Sequence, residues 1–386
     1  MGKIGLVLSY KGINYGALLQ AYATQHFLDK NEYESVIIDV KHPKEGLKYY
    51  VSKLENVLRP MTVKISLNKR KRAKLIRENP ILNTAYKQRM QSADSFRKQY
   101  LHDVMSFDSV DSATRAVREF DAVLVGSDQQ WNPAAFNGEI STLLFVPDSV
   151  KKISYATSLG VSSIPKYLYK KGRQFLSRID YLSVRELSGK KIVDQLIPEK
   201  AKVVLDPTLL LAKDDWDEAI PEHIMRKEPY VFCYFLGDNP EQPKWVEDYC
   251  KNHNLKMIVV RNVETYTGTV YEEGDEILDG PAVSDFVNYI RGAELVCTDS
   301  FHCTVFSIIN HKNFVTFYRL KSTDKNSRNS RIDDLLGSLG IEQHICADYV
   351  DVEEAIKAKI DYDKVDEKLS TARDDSTEFL IDALRG

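Results

Sequence analysis

The chain has 386 residues, 43% of them hydrophobic and 28% charged, with a formal net charge of -3 at pH 7. That length suits two domains of ordinary size, each with its own core, and the balanced charge excludes a global field for nucleic acid. The opening MGKIGLVLSY turns polar too soon for a signal peptide, and no later run approaches the roughly 20 apolar residues of a membrane span, so a cytoplasmic protein is expected.

Lys3 to Ser9 reads as a first strand. A glycine-containing turn follows, then a helix with apolar positions at Leu18, Leu19, Tyr22, Ala23 and Phe27. Gly12 and Gly16 let backbone approach a ligand at the helix start, with Asn14 and Gln20 as hydrogen-bonding groups; tight packing at Gly16 is the alternative. Ser35 to Val40 completes a β-α-β unit, which implies a right-handed parallel crossover. Residues 45–117 then lose apolar content, and Asn68 to Arg77 is densely basic. A solvated helical insertion is expected there, able to meet an anionic acceptor, a lipid-linked substrate or a membrane surface. Without interleaved aromatics it does not suggest nucleic acid.

FDAVLVGSDQQWNP, Phe120 to Pro133, is a strand that ends abruptly in polar groups. Gly126, Ser127, Asp128, Gln129, Trp131 and Asn132 offer hydroxyl, carboxylate, amide and an indole plate, the parts from which sugar sites are made; a structural turn is the alternative. Lys152 to Gly160 is a further strand and turn, and Leu182 to Val184 delivers Arg185 and Glu186 to a strand's carboxyl end. Arg185 suits carboxylate or phosphate because its planar fork donates twice, although an ordinary ion pair would also account for it. Lys202 to Leu211 adds a strand and an Asp206-Pro207 turn.

The charged stretch from Leu211 to Lys227 interrupts the rhythm and marks the domain boundary, giving 1–212 as an acceptor-binding domain and 213–386 as a donor-binding domain. Strands are expected again at Tyr230, Lys256, Leu295 and Asn313, with helices between them. In ELVCTDSFHCTVF, Glu294 to Phe306, a buried strand runs into Asp299, Ser300, Phe301 and His302, and the apolar spacing beyond is helical. Ligands of open α/β sheets bind at such strand ends, and a helix start favours anions. His302 is a candidate acid/base, with simple helix capping by Asp299 and Ser300 as the alternative. Lys321, Arg328 and Arg331 follow in a polar loop that suits a dianionic donor. The last helices start near Val352, and periodicity does not say where they pack. Five cysteines with no C-x-x-C pair point to reduced, buried thiols, and no ligand spacing suggests a metal. Cys303, at the helix start beside His302, is a conceivable nucleophile, with packing as the stronger alternative.

Taken together, NYGALLQAYA, DAVLVGSDQQWNP, ISYATSLG, SVRELSG, VVLDPTLLL, DSFHC and SRIDDLL resemble, in this order and over nearly the whole chain, the polysaccharide pyruvyl transferase family. The resemblance implies an α/β fold of two Rossmann-like domains with parallel sheets, like that of GT-B glycosyltransferases, with the site in the cleft. It also implies transfer of the pyruvyl group of phosphoenolpyruvate to two hydroxyls of a glycan or lipid-linked precursor, as a ketal, with release of phosphate and no further cofactor. The family's His matches His302 and its Arg matches Arg185. Asp299 is expected to orient His302 or to act as the sugar-hydroxyl base. The matched stretches add Tyr15 and Ser330 to the expected substrate contacts, which also comprise Asn14, Gly16, Gln20, residues 126–129, Trp131, Asn132, Glu186, Ser300, Phe301, Lys321 and Arg331. A GT-B glycosyltransferase using a sugar nucleotide, and a glycan-binding protein without activity, are the competing classes.

Overall fold

The computed structural model describes residues 2–41, 60–133, 136, 138–237, 239–265, 276–319, 329–346 and 352–386. Two parallel sheets organise it. The first comprises β1 (Lys3–Val7), β2 (Glu34–Val40), β3 (Val104–Phe107), β4 (Ala122–Gly126), β5 (Lys151–Thr157), β6 (Tyr181–Val184) and β7 (Ala201–Val203), in spatial order β3-β2-β1-β4-β5-β6-β7. The second comprises β8 (Tyr230–Tyr234), β9 (Lys256–Val260), β10 (Glu276–Leu278), β11 (Leu295–Thr298), β12 (Phe314–Phe317) and β13 (Ile345–Cys346), in order β10-β9-β8-β11-β12-β13. Every residue of β4, β8, β11 and β12 is buried, as continuous apolar runs covered on both faces require.

Strand order reverses between β1 and β4 in one sheet and between β8 and β11 in the other. At such a reversal the helices leave on opposite faces and a crevice opens at the strands' carboxyl ends. The turns after β1, β4, β8 and β11 are therefore the ones placed to hold a ligand, and they carry Gly16, Asp128, Gly237 and His302.

The expected insertion at 45–117 is corrected at its far end. Val104–Phe107 pairs with β2 from Ile37 to Val40 as the sheet's edge strand, so the added part within the described residues is the helix pair Pro60–Glu78 and Pro80–Tyr100. β3 escapes sequence pattern because its exposed and half-buried positions leave no apolar run.

The charged junction between the sheets is also more tightly packed than its composition suggests. Trp216 is fully buried, edge-on to Phe306 at 4.8 Å and 5.6 Å from Tyr22, and its indole N–H donates to the Thr208 carbonyl. Arg291 clasps the same segment through Asp217 at 2.7 Å. Removing an indole so packed costs about 3–5 kcal/mol, so the junction is a joint rather than a solvated linker. The helix Tyr362–Arg385 starts on the second sheet, where Tyr362 donates to the Lys312 carbonyl, and ends on the first, where Ser376 accepts from the Leu205 N–H and Lys151 donates to the Leu384 carbonyl. The last helix thus crosses back over both units.

Candidate active site

His302 is the second residue of the helix Phe301–Ile309, which starts directly after β11. Its ring packs against Gly16 at the start of the helix Tyr15–Lys30: a methyl built on Gly16 would stand 2.7 Å from Cε1 and closer still to Nδ1. His302 Nε2 lies 3.6 Å from Asp206 Oδ2 and has no hydrogen-bond partner. Two sheets therefore meet at this imidazole.

Asp206, which sequence pattern marked only as a turn, is the hub. One of its oxygens, Oδ2, accepts from Arg185 Nη1 at 2.6 Å and Ser127 Oγ at 2.9 Å, while Oδ1 accepts from the Thr208 N–H and hydroxyl. Burial pushes the Asp206 carboxyl up, but His302, Arg185 and Thr208 outweigh it and hold the group below the usual carboxylate range. Asp128 lies 3.5 Å from Arg185 Nη2 and is depressed likewise, because Arg185, His302 and Arg331 together exceed the cost of its burial.

Arg185 follows β6, is 7% exposed, and lays its guanidinium 4.4 Å from the centre of the Phe301 ring. Arg331, from the helix Ser330–Leu339, approaches the same ring at 5.7 Å. Burial, and then the like charges of Arg185 and Arg319, push Arg331 down against the opposing pull of Asp128 and Glu186. Arg185 Nε and Nη2 have no hydrogen-bond partner either. Arg185, Asp206, Phe301 and Arg331 line a cavity of about 240 Å³ together with Asp334, Leu335, Asp375 and Ser376, while His302 is not among its lining residues. Arg185 Nη2 stands 3.5 Å from Asp128 and Nε 4.0 Å from Glu186, ion pairs too long for hydrogen bonds, and an anion that supplied the bonds would gain free energy.

Several expected site residues are structural instead. Asp299 is neither the orienting partner of His302 nor an available base: its oxygens accept the N–H groups of Leu236 at 2.7 Å and Gly237 at 2.5 Å, which ties the β8 turn to the β11 turn, and burial pushes it up. Trp131 offers no plate to a sugar. It is 1% exposed, packs on Phe175 at 5.4 Å and donates to the Ser141 carbonyl. Tyr15 is buried, stacked on Phe286 at 4.2 Å and bonded to the Pro281 carbonyl. Gln20 is spent inside, donating to the Ser9 and Ala17 carbonyls and accepting from the Ser127 N–H. Glu186 accepts from Ser158 and from the N–H groups of Leu159 and Gly160, so it shapes that turn.

Of the rest, Asn14 caps its helix through the Ala17 N–H and reaches Glu264, while Gly126 packs so close to the Tyr155 carbonyl that a side chain would overlap it. Ser127 and Asp128 face Arg185 and Asp206, and Gln129 and Asn132 are half-buried beside Gly160 and the Leu159 carbonyl. Ser300 leads into the His302 helix and makes no side-chain cap bond. Ser330 lies 3.0 Å from Ser188 across the two units. Lys321 and Arg328 lie outside the described residues. Cys303 is fully buried and burial raises its thiol to about 12, which removes it as a nucleophile. Among the described residues no cluster of His, Cys, Asp and Glu is arranged to hold a metal ion, and no helix is long and apolar enough to cross a membrane.

The decisive comparison is with protein families. The model of the polysaccharide pyruvyl transferase family matches residues 14–321, four-fifths of the chain. The protein belongs to that family. Membership makes it a transferase with a glycan acceptor. No curated protein matches the sequence. Among solved structures, the UDP-N-acetylglucosamine 2-epimerase of Rickettsia bellii aligns over 100% of this chain and 97% of its own, with 11% identity and a TM-score of 0.54. Arabidopsis thaliana UGT89C1 aligns over 99% of both chains, with 9% identity and a TM-score of 0.53. The MnaA–UDP complex from S. aureus covers 96% of this chain and 91% of its own, at 13% identity and a TM-score of 0.52. Those likenesses establish the fold of this family member as GT-B-like, two parallel-sheet α/β units.

Proposed function

We propose that this pyruvyl transferase family member takes phosphoenolpyruvate as donor and forms a cyclic pyruvate ketal on two hydroxyls of a glycan or its lipid-linked precursor. The observation that supports this most directly is the pair of buried guanidinium groups, Arg185 and Arg331, over one phenylalanine ring beside a cavity of about 240 Å³, with Arg185 Nε and Nη2 making no hydrogen bond. Phosphoenolpyruvate carries a carboxylate and a phosphate, and two adjacent planar forks suit both. In the reaction the methylene carbon gains a proton and the neighbouring carbon becomes cation-like. Two sugar oxygens bond to that carbon in succession and its bond to the phosphate oxygen breaks; the first hydroxyl's proton replaces the one the methylene took up, and the second's leaves with phosphate.

His302 is the acid/base that this chemistry needs, positioned by Asp206 and Gly16 from the other unit. The acceptor falls to Asp128 and Gln129 at the mouth of the β4 turn, with no indole beneath the sugar. Closure of the two units around His302 excludes water, which protects the cation-like carbon from hydrolysis.

The test is phosphate release from phosphoenolpyruvate with a panel of glycan acceptors, the product being read by mass. A ketal product, with turnover in His302→Ala reduced by about 10² or more, is the expected result. Release of a nucleoside diphosphate from a sugar nucleotide would replace it with the glycosyltransferase reading, and an acceptor recovered unchanged with both donors would leave a binding protein.

A further inference from the structure

Between Asn68 and Arg77 the chain carries six cations and no acid, so the rest of the protein holds a formal -9. Elsewhere the charged helices hold their own counter-ions, as in Lys190–Asp194, Lys213–Asp217 and Lys251–Glu247. The helix Pro60–Glu78 has one acid, Glu78, at its last position, 3.9 Å from Arg77. The proposed chemistry uses none of these cations.

Its inner face is fixed by contacts. Arg72 donates to the Glu264 carbonyl, and Leu75 and Ile76 pack on the core. Helical periodicity then sets the outer face: Leu67, Arg70, Lys74 and Arg77 recur at steps of three and four and are exposed. Leu67 is 48% exposed at one end of this stripe, and Ile81, just past the Asn79 cap, is 49% exposed at the other. Cations flanked by apolar side chains match a lipid–water interface, where the charges meet headgroups and the apolar groups enter the acyl boundary. A surface for single-stranded nucleic acid would call for stacking rings, and the stripe has none.

We propose that this face docks the enzyme on a membrane surface of anionic phospholipid. Its anchorage gives the docking a purpose. Arg72 and Arg89 both bind Glu264, Arg89 also holds the Ile13 carbonyl at 2.8 Å, and Asn14 reaches Glu264 as well. The basic helix is thereby fastened to the lip of the crevice, two residues from the Gly16 that touches His302. Docking would set the active site beside the headgroups, where a lipid-linked acceptor resides; that last step rests on the function proposed above, whereas the docking does not.

The experiment is co-sedimentation of the full chain with vesicles of phosphatidylcholine, with and without phosphatidylglycerol. Binding is expected on anionic vesicles only, lost in high salt, and about 10²-fold weaker or more in Arg70→Glu/Lys74→Glu/Arg77→Glu. Leu67→Ser/Ile81→Ser should weaken it without changing its salt dependence. These positions are exposed, and an unchanged melting temperature verifies that the variants fold; the corresponding alanine set serves if the reversals do not. Failure of the native chain to bind anionic vesicles, equal binding to neutral ones, or native-like binding by the triple variant would each overturn the proposal. None of these measurements depends on turnover, so they stand apart from the donor assay.

Discussion

Gly16 and His302 come from different sheets and occupy one space, in that the imidazole fills the place where any side chain at position 16 would be. Gly16→Ala should therefore push the ring off Asp206 and lower turnover by about 10², as loss of a positioned acid/base does. Gly337, exposed on a helix with nothing within 4 Å, is the control: alanine there should leave the rate alone and stabilise the protein by about 0.5–1 kcal/mol. A Gly16→Ala enzyme as fast as the native one would show that the ring need not stay where it is.

Asp206→Asn strips the carboxylate from a buried hub and leaves Arg185 facing an amide. A loss of about 3–5 kcal/mol in denaturant unfolding is expected, the usual result of breaking a buried pair. The pH dependence has a definite sign. Because the folded carboxyl titrates below its unfolded value of about 3.9, its contribution is complete above that value and fades as the pH falls through it toward the folded one. The native protein should lose stability steeply below about pH 4, and Asp206→Asn should lose less over the same range.

Asp299→Asn tests the reassignment of that residue. An amide keeps one acceptor for Leu236 but turns N–H toward the Gly237 N–H, so unfolding should cost about 1–3 kcal/mol less while turnover of the folded fraction stays within a few-fold. A collapse of turnover with native stability would return Asp299 to the chemistry.

Trp131→Phe removes the bond to the Ser141 carbonyl and keeps most of the packing. Stability should fall by about 1 kcal/mol and the acceptor KM should not move. A raised KM at unchanged stability would place a sugar against the indole after all.

Arg185→Lys replaces a fork by a point charge, and the donor KM should rise while the acceptor KM stays put. Equal shifts in both would mean that Arg185 organises the whole crevice rather than the donor.

What was legible in the sequence follows physical rules. Buried strands such as Val123 to Gly126 and Leu295 to Thr298 write themselves as apolar runs, and the polar residue that ends each run marks the crevice, which is why Asp128, Arg185 and His302 stand out in the sequence. The edge strand Val104–Phe107 has no such run. Trp131 and Asp299 went astray for a shared reason: a polar or aromatic residue just past a strand end is read as facing a ligand, but the turn itself needs its N–H groups satisfied and its back filled. Asp206 does not stand out in the sequence because Asp-Pro is the ordinary way to open a short helix, which this one also does. Only tertiary proximity to Arg185, Ser127 and His302 distinguishes it.

The five cysteines all fall between Cys233 and Cys346, and all are buried, with no disulfide among them. Burial also raises the thiols of Cys233 and Cys297, so the native state should ignore alkylating reagents. Since β1 to β7 contain none, pulse alkylation would time the exposure of the second unit while staying blind to the first, a built-in stopwatch for one half of the molecule.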